Sequence, residues 1–301
     1  MQTLTEIRRM LEQAGLRPQK AFGQCFLIDR NMLGKLLELA GLSQDAPAGL
    51  TVLEVGPGTG TLTEELLGRG VGVVAAEIDR GLCRLLRDRL AGRAGFTLIE
   101  GDVLAGKHEI APDVLAELPE RTRLVSNLPY SIATPLLGEC LAESWRHERQ
   151  PGANRRCFER MTFTVQREVA DRLAAAPGSE VYGPISVMAA ALGRITSGPI
   201  VSPGAFWPKP NVASRMCRID FDRTRAAELA DVATLGQLLQ QAFGQRRKQM
   251  KSLARRKGLP WAPGAVEAAL AAAGVDPSDR PQRVGPPAYV AIANFLTRTV
   301  E

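Results

Sequence analysis

Short apolar runs alternate with helix-length amphipathic segments along most of this 301-residue chain. Thr51-Val52-Leu53-Glu54-Val55 is a β-rich run that stops at Gly56, and leucines at helical spacing (Leu62, Leu66, Leu67) begin directly after the glycines. That change of period predicts a strand, a tight turn and a helix. Similar runs recur at Val71 to Ala76, Phe96 to Ile99, Arg123 to Ser126 and Met161 to Val165, separated by segments such as Gly81 to Leu90. Strands alternating with helices predict an α/β fold built on a doubly wound, mostly parallel sheet.

The ends of the chain depart from this rhythm. Glu6 and Glu12 among Leu4, Ile7, Met10 and Leu11 predict a short amphipathic helix, where a secretory signal would show an unbroken apolar core. Pro and Gly cluster from Gly198 to Pro210, and the alternation from Ser214 to Phe221 predicts a last strand. Near Asp222 the composition changes. Leu235, Leu238, Leu239, Ala242 and Phe243 lie at helical spacing, and Gly274 and Pro277 punctuate the C-terminal helices. The expected organisation is a larger domain over 1–222 and a small helical domain over 223–301. No run of eighteen apolar residues occurs, so no membrane-spanning helix is expected.

Charge sharpens that division. Residues 1–222 carry 26 Lys+Arg against 26 Asp+Glu, whereas residues 223–301 carry 12 against 6. The whole excess of +6 therefore sits in the C-terminal quarter, which suits a polyanionic partner or, more blandly, a solvated basic face. The densest stretch, Gln245 to Lys257, contains Arg246, Arg247, Lys248, Lys251, Arg255, Arg256 and Lys257 and no acid. On a helix these cations spread over more than one face, as a curved phosphate backbone requires. The five cysteines (Cys25, Cys83, Cys140, Cys157, Cys217) are scattered, and the histidines are only His108 and His147. Neither a metal site nor a disulfide framework is expected, and a reducing cytoplasm fits.

Candidate chemistry gathers at the ends of the expected strands. Glu54-Val55-Gly56-Pro57-Gly58-Thr59-Gly60 lets the backbone turn and approach a ligand, but Thr61 stands where a dinucleotide fingerprint has its third glycine. Glu77 closes the second strand, where a carboxylate accepts from ribose hydroxyls. Asp102 follows the third, where it accepts from an adenine amino group. A cap for Glu77 or a surface turn for Asp102 explains each alone. Taken in order, the three strand ends point to S-adenosylmethionine as cofactor, with Gly56 and Gly58 in the loop beneath it.

Asn127-Leu128-Pro129-Tyr130 then supplies a grip for a flat, amino-bearing base. An exocyclic amine is a weak nucleophile because its lone pair is delocalised into the ring. If the Asn127 side-chain oxygen and the Leu128 carbonyl accept its two hydrogens, the pair is localised and aimed, and positioning carries much of the catalysis. Pro129 presets the Leu128 carbonyl by favouring an extended residue before it, and Tyr130 offers a stacking face. An ordinary strand-to-loop turn is the competing reading of the tetrapeptide. Phe206-Trp207-Pro208-Lys209-Pro210, with Phe206 as the stacking residue, is expected to close the pocket from the other side.

With these residues in view, the chain resembles the small-subunit (16S) ribosomal RNA adenine dimethyltransferases from about Gln19 to Arg256. The resemblance rests on Gln19-Lys20-Ala21-Phe22-Gly23-Gln24-Cys25-Phe26-Leu27, on Glu54 to Gly60, Glu77 to Arg80, Gly101-Asp102 and Asn127 to Leu137. Gln166 to Ala170, Pro177 to Ser179, Tyr182 to Val187, Phe206-x-Pro208-x-Pro210-x-Val212 and Phe243 to Lys248 continue it. It implies a Rossmann-like class I methyltransferase fold with a C-terminal helical domain. The implied activity is dimethylation at N6 of two adjacent adenosines near the 3′ end of 16S ribosomal RNA, in the immature small subunit, by a cytoplasmic monomer. It also implies that Leu27, Gly56, Glu77, Asp102 and Asn127 contact or flank the cofactor. Cys25 departs from the family's usual Asn or His, a poorer hydrogen-bond partner whose contact is lost or passes to the backbone. Two rivals stay open: the related large-subunit adenine methylases that confer antibiotic resistance, and an assembly or transcription accessory factor that keeps the fold without methylating.

Overall fold

In the computed structural model of the chain, the described residues are 1–19, 23–42, 46–106, 109–150, 154–256 and 258–299. Lys20, Ala21, Phe22, His108 and Lys257, named above, lie outside them. Among the described residues no helix is long and apolar enough to cross a membrane.

The described residues divide into two compact units, one within 1–170 and 196–220 and the other within 171–195 and 221–299. The first contains α1 (Leu4–Gln13), β1 (Phe26–Leu27), α2 (Arg30–Leu39), β2 (Thr51–Val55), α3 (Thr61–Gly68), β3 (Gly72–Glu77), α4 (Arg80–Leu90), β4 (Phe96–Glu100), α5 (Pro112–Glu117), β5 (Arg121–Asn127), α6 (Ala133–Arg149) and β6 (Cys157–Gln166). After α7 (Arg167–Leu173) and α8 (Pro184–Leu192), β7 (Gly193–Val201), β8 (Phe206–Trp207) and β9 (Ser214–Phe221) complete its strands.

The main sheet has the order β4-β3-β2-β5-β6-β9-β7. β2 to β6 run parallel to one another, and β9 returns antiparallel to β6. Helices on both faces exclude water from the central strands, which is why Val52, Leu53, Glu54 and Val55 are all buried and β2 reads as an unbroken run. The order reverses between β2 and β5, so a crevice opens at their carboxyl ends, the place where open α/β sheets take ligands. A second, two-stranded sheet pairs Phe26 with Trp207 and Leu27 with Phe206.

The Gly/Pro-rich stretch begins inside a strand. Edge strand β7 runs to Val201 through Gly198, where a Cβ would stand 2.8 Å from Leu39 and 3.1 Å from the Met216 carbonyl. Only glycine lets the strand lie that close, and the edge tolerates Pro199.

The second unit adds α9 (Arg223–Glu228), α10 (Val232–Phe243), α11 (Met250–Ala254), α12 (Ala265–Ala272) and α13 (Pro286–Arg298). It begins earlier than the change of composition at 222, because 171–195 packs with it. Tyr182 is fully buried, donates its hydroxyl to the Val284 carbonyl at 3.0 Å and meets the Phe243 ring at 6.0 Å; Phe243 meets Tyr289 at 5.9 Å. The basic stretch is not one helix. Arg246, Arg247 and Lys248 occupy turns between α10 and α11, Lys251 lies on α11 and Arg255 just beyond it.

Candidate active site

One cavity in the first unit collects the strand ends. Cys25, Leu27, Gly56, Gly58, Glu77, Asp102, Asn127, Leu128 and Tyr130, all expected from the sequence, line it. The loop between β2 and α3 has positive φ at Gly56, Gly58 and Gly60, a conformation that favours glycine. At Gly58 a Cβ would also come within 2.8 Å of the Phe26 ring.

Carboxylates shape the cavity's chemistry. Glu77 is buried and accepts from the Gly58 amide at 3.3 Å and the Asp79 amide at 2.9 Å. Burial raises its pKa, and those backbone bonds oppose the rise. Asp102 accepts from the Leu104 amide at 2.9 Å, so it caps a turn as well as lining the cavity. Glu54, whose role is not legible from the sequence, is buried in the same wall and accepts from the Thr63 hydroxyl at 2.7 Å. Burial, opposed by that bond and helped by nearby Glu77, pushes its pKa up to about 8. Among the described residues the lining holds three carboxyl groups and no Lys or Arg. A wall with carboxyl groups and no cation suits a cationic ligand and offers a pyrophosphate no counter-charge.

Asn127 ends β5 with its two polar atoms in different states. Nδ2 donates to the Cys25 carbonyl at 3.0 Å, which fixes the amide, while Oδ1 is buried without a partner. A buried acceptor left unpaired is costly, and a ligand N–H would relieve it. Cys25 is joined to Asn127 through its backbone carbonyl and not through its thiol. Its half-buried thiol has a pKa raised by burial. Leu128 buries its side chain and donates its amide to the Thr164 carbonyl at 3.2 Å. Tyr130, whose hydroxyl lies 2.8 Å from Ser214 Oγ, walls both this cavity and a second, outer cleft.

Phe206 does not provide the opposite stacking face. It is 2% exposed and packs in the core with Leu27, Leu33 and Val201. Successive residues of a strand point to opposite sides, so it is Trp207 that reaches the outer cleft. Other contributors escape sequence reasoning. Gln19 and Gln24 both donate to Asp79 Oδ2 at 2.9 Å, tying the segment before β1 to the end of β3. Gln2 grips the glycine loop: its Nε2 donates to the Thr59 carbonyl at 3.0 Å, and its Oε1 accepts from Thr59 and Thr61 hydroxyls at 2.7 and 3.0 Å. Repeated Gln in the N-terminal segment is the available signal, but no spacing rule assigns it.

Within the basic stretch, Arg247, Lys248, Lys251, Arg255 and Arg256 are exposed. Arg246 is spent inside the unit, donating to the Glu180 carbonyl.

The family model described as ribosomal RNA adenine dimethylase matches residues 15–295. Ribosomal RNA small subunit methyltransferase A of Hahella chejuensis is 35% identical over 285 residues, 95% of each chain. The protein of that name from Anaeromyxobacter sp. (strain K) is 40% identical over 281 residues, 91% of each. Among solved structures, a dimethyladenosine transferase from Plasmodium falciparum shares the fold, with TM-score 0.68 at 18% identity, over 91% of this chain and 98% of that one. The 23S rRNA methyltransferase ErmE aligns with TM-score 0.58 at 26% identity, over 90% of this chain and 99% of that one.

Proposed function

The chain belongs to the ribosomal RNA adenine dimethylase family, and from that premise we propose that it dimethylates N6 of two adjacent adenosines near the 3′ end of 16S ribosomal RNA, in the immature small subunit, as a cytoplasmic monomer using S-adenosylmethionine. The observation that carries this reading is the divided state of Asn127, one amide atom tethered and the other buried and open.

S-adenosylmethionine, when bound, supplies a methyl group already activated by its sulfonium. Glu77 and Asp102 would hold it, above the turn at Gly56 and Gly58. The three-carboxyl wall without cations suits its positive charge and lack of phosphate. Asn127 Oδ1 and the Leu128 carbonyl accept the N6 hydrogens of the adenine, so its lone pair points into the cavity. Tyr130 covers a face of the base. No strong base is required, because the amine becomes acidic only after alkylation and its proton then leaves to solvent.

Incubation with labelled S-adenosylmethionine and immature small subunits, with large subunits in parallel, tests this by nucleoside mass spectrometry. Dimethyladenosine in the small-subunit RNA is the expected product. Label confined to the large subunit would replace this assignment with its large-subunit relative, and no labelled adenosine at all would leave only a binding role.

Glu54 gives the reaction a pH signature. Below about 8 the carboxyl is protonated in the free protein, and a cation bound beside it favours the ionised form. Cofactor affinity should therefore rise with pH up to about 8 and level off above, with proton release on binding. Without ligand the sign for stability is opposite: the neutral buried acid is progressively disfavoured against the ionised unfolded one as pH rises from about 4.5 to about 8. Calorimetry in buffers of different ionisation enthalpy reads the released proton. E54Q should flatten the profile, and an unchanged profile would acquit Glu54.

For the second unit, the proposed partner of Arg247, Lys248, Lys251 and Arg255 is the RNA backbone. Gln at all four should weaken subunit binding and lower the salt slope by about 3, at roughly 0.7–0.9 per phosphate contact. Cofactor affinity, measured by calorimetry, should not move.

A further inference from the structure

The grip on one base does not account for the outer cleft. This cleft, about 1270 Å³ in volume, adjoins the cofactor cavity and shares Gly23, Gln24, Cys25 and Tyr130 with it. One side is α1 and the residues after it; the other is the ridge from Trp207 to Val212. Three cations, Arg8, Arg17 and Lys209, stand against the single acid Glu12. All three are exposed, and none forms an ion pair among the described residues. The charge of this cleft is therefore opposite to that of the cofactor cavity.

Trp207 in its wall is backed by Phe26, which lines the cofactor cavity instead. Phe26 and Trp207 are stacked with ring centroids 6.3 Å apart and planes 25° from parallel. The Arg8 guanidinium carbon lies over Trp207, 5.2 Å from the ring centroid. Arg8 and Trp207 both line the cleft, so the pile presents a planar cation and an indole to whatever enters. Aromatic rings and guanidinium planes are the surfaces on which unpaired bases stack, and nearby cations hold their phosphates.

We propose that the outer cleft is a binding site for the nucleotide next to the target adenosine. Its base stacks on the Arg8–Trp207 pair, and Arg17 and Lys209 draw its phosphates. This rests on the assignment of an RNA adenosine to the neighbouring cavity. Tyr130 is the shared wall, so a strand with one base in the cavity enters the cleft with the next. Because two adjacent adenosines are modified in turn, the cleft holds the waiting or completed neighbour while the other reacts. Stacking tolerates either state, since every base has a π-face and methylation at N6 leaves it in place.

The test is steady-state kinetics on immature small subunits with three variants: R17Q/K209Q, R8Q and W207L, with W207F as the conservative rescue. R17Q/K209Q and W207L should each raise KM for RNA about tenfold, the scale of losing one stacked base or two backbone contacts, and R8Q several-fold. The values of kcat and of KM for S-adenosylmethionine should stay within a factor of two, and W207F should recover most of the loss. R17Q/K209Q and R8Q alter only exposed side chains, so they remain informative if W207L folds poorly. In the unaltered enzyme, a short oligoribonucleotide containing paired adenosines should quench tryptophan emission, and R8Q should weaken that quenching. Unchanged RNA KM in R17Q/K209Q and R8Q overturns the proposal. So does quenching by an acidic peptide but not by the oligoribonucleotide, which would make the cleft a protein site. Either result, with dimethyladenosine still formed, leaves the assigned reaction standing.

Discussion

Asn127→Ala should lower the methylation rate by about two to three orders of magnitude while leaving small-subunit binding intact. The magnitude is that of deleting one preorganised hydrogen-bonding group from an active site. Oδ1 is unpaired in the folded chain, so its removal costs the protein no internal bond. Nδ2 is different, because its loss leaves the Cys25 carbonyl without its donor, at about 1 kcal/mol of stability. A thermal melt read beside single-turnover methylation separates the two effects. Full activity in the variant would remove Asn127 from the chemistry.

Glu77→Ala should weaken cofactor binding by roughly 100-fold, corresponding to about 3 kcal/mol for the loss of charged acceptor contacts. The carboxylate acts twice. It steadies the turn through the Gly58 and Asp79 amides, and its side chain lies in the cavity wall where ribose hydroxyls would meet it. Titration calorimetry with the demethylated cofactor gives the dissociation constant directly. An affinity unchanged in Glu77→Ala would move the ligand elsewhere in the cavity.

Much of this site is legible in the sequence because it lies where periodicity changes. Gly56, Glu77, Asp102 and Asn127 each follow an apolar run that reads as a strand, and parallel strands put all such ends on one edge. Phe206 and Trp207 show where that logic stops. Both are aromatic and adjacent, and the pairing of Leu27 with Phe206 decides which one faces the core. That pairing joins residues far apart in sequence and has no local signature. The place of residues 171–195 is hidden for a similar reason, since the hydroxyl of Tyr182 finds its acceptor at Val284. Composition alone suggests one helix for the basic stretch, whereas Gln249 starts a new helix with extended backbone. Glu54 sits in plain view within the glycine motif, but its raised pKa comes from burial, which is a tertiary property.

The N-terminal segment through the short helix α1 lines the outer cleft and also touches the glycine loop of the cofactor cavity. Gln2, just before its Thr3 cap, holds Thr59 and Thr61 of the glycine loop, and Arg8, two turns along, lies over Trp207. A ten-residue rod spans about 15 Å, and its capping box and buried Ile7 and Leu11 make it move as a piece. A substitution in this segment is therefore best read at both places at once, as the order of the glycine loop and as the hold on Trp207.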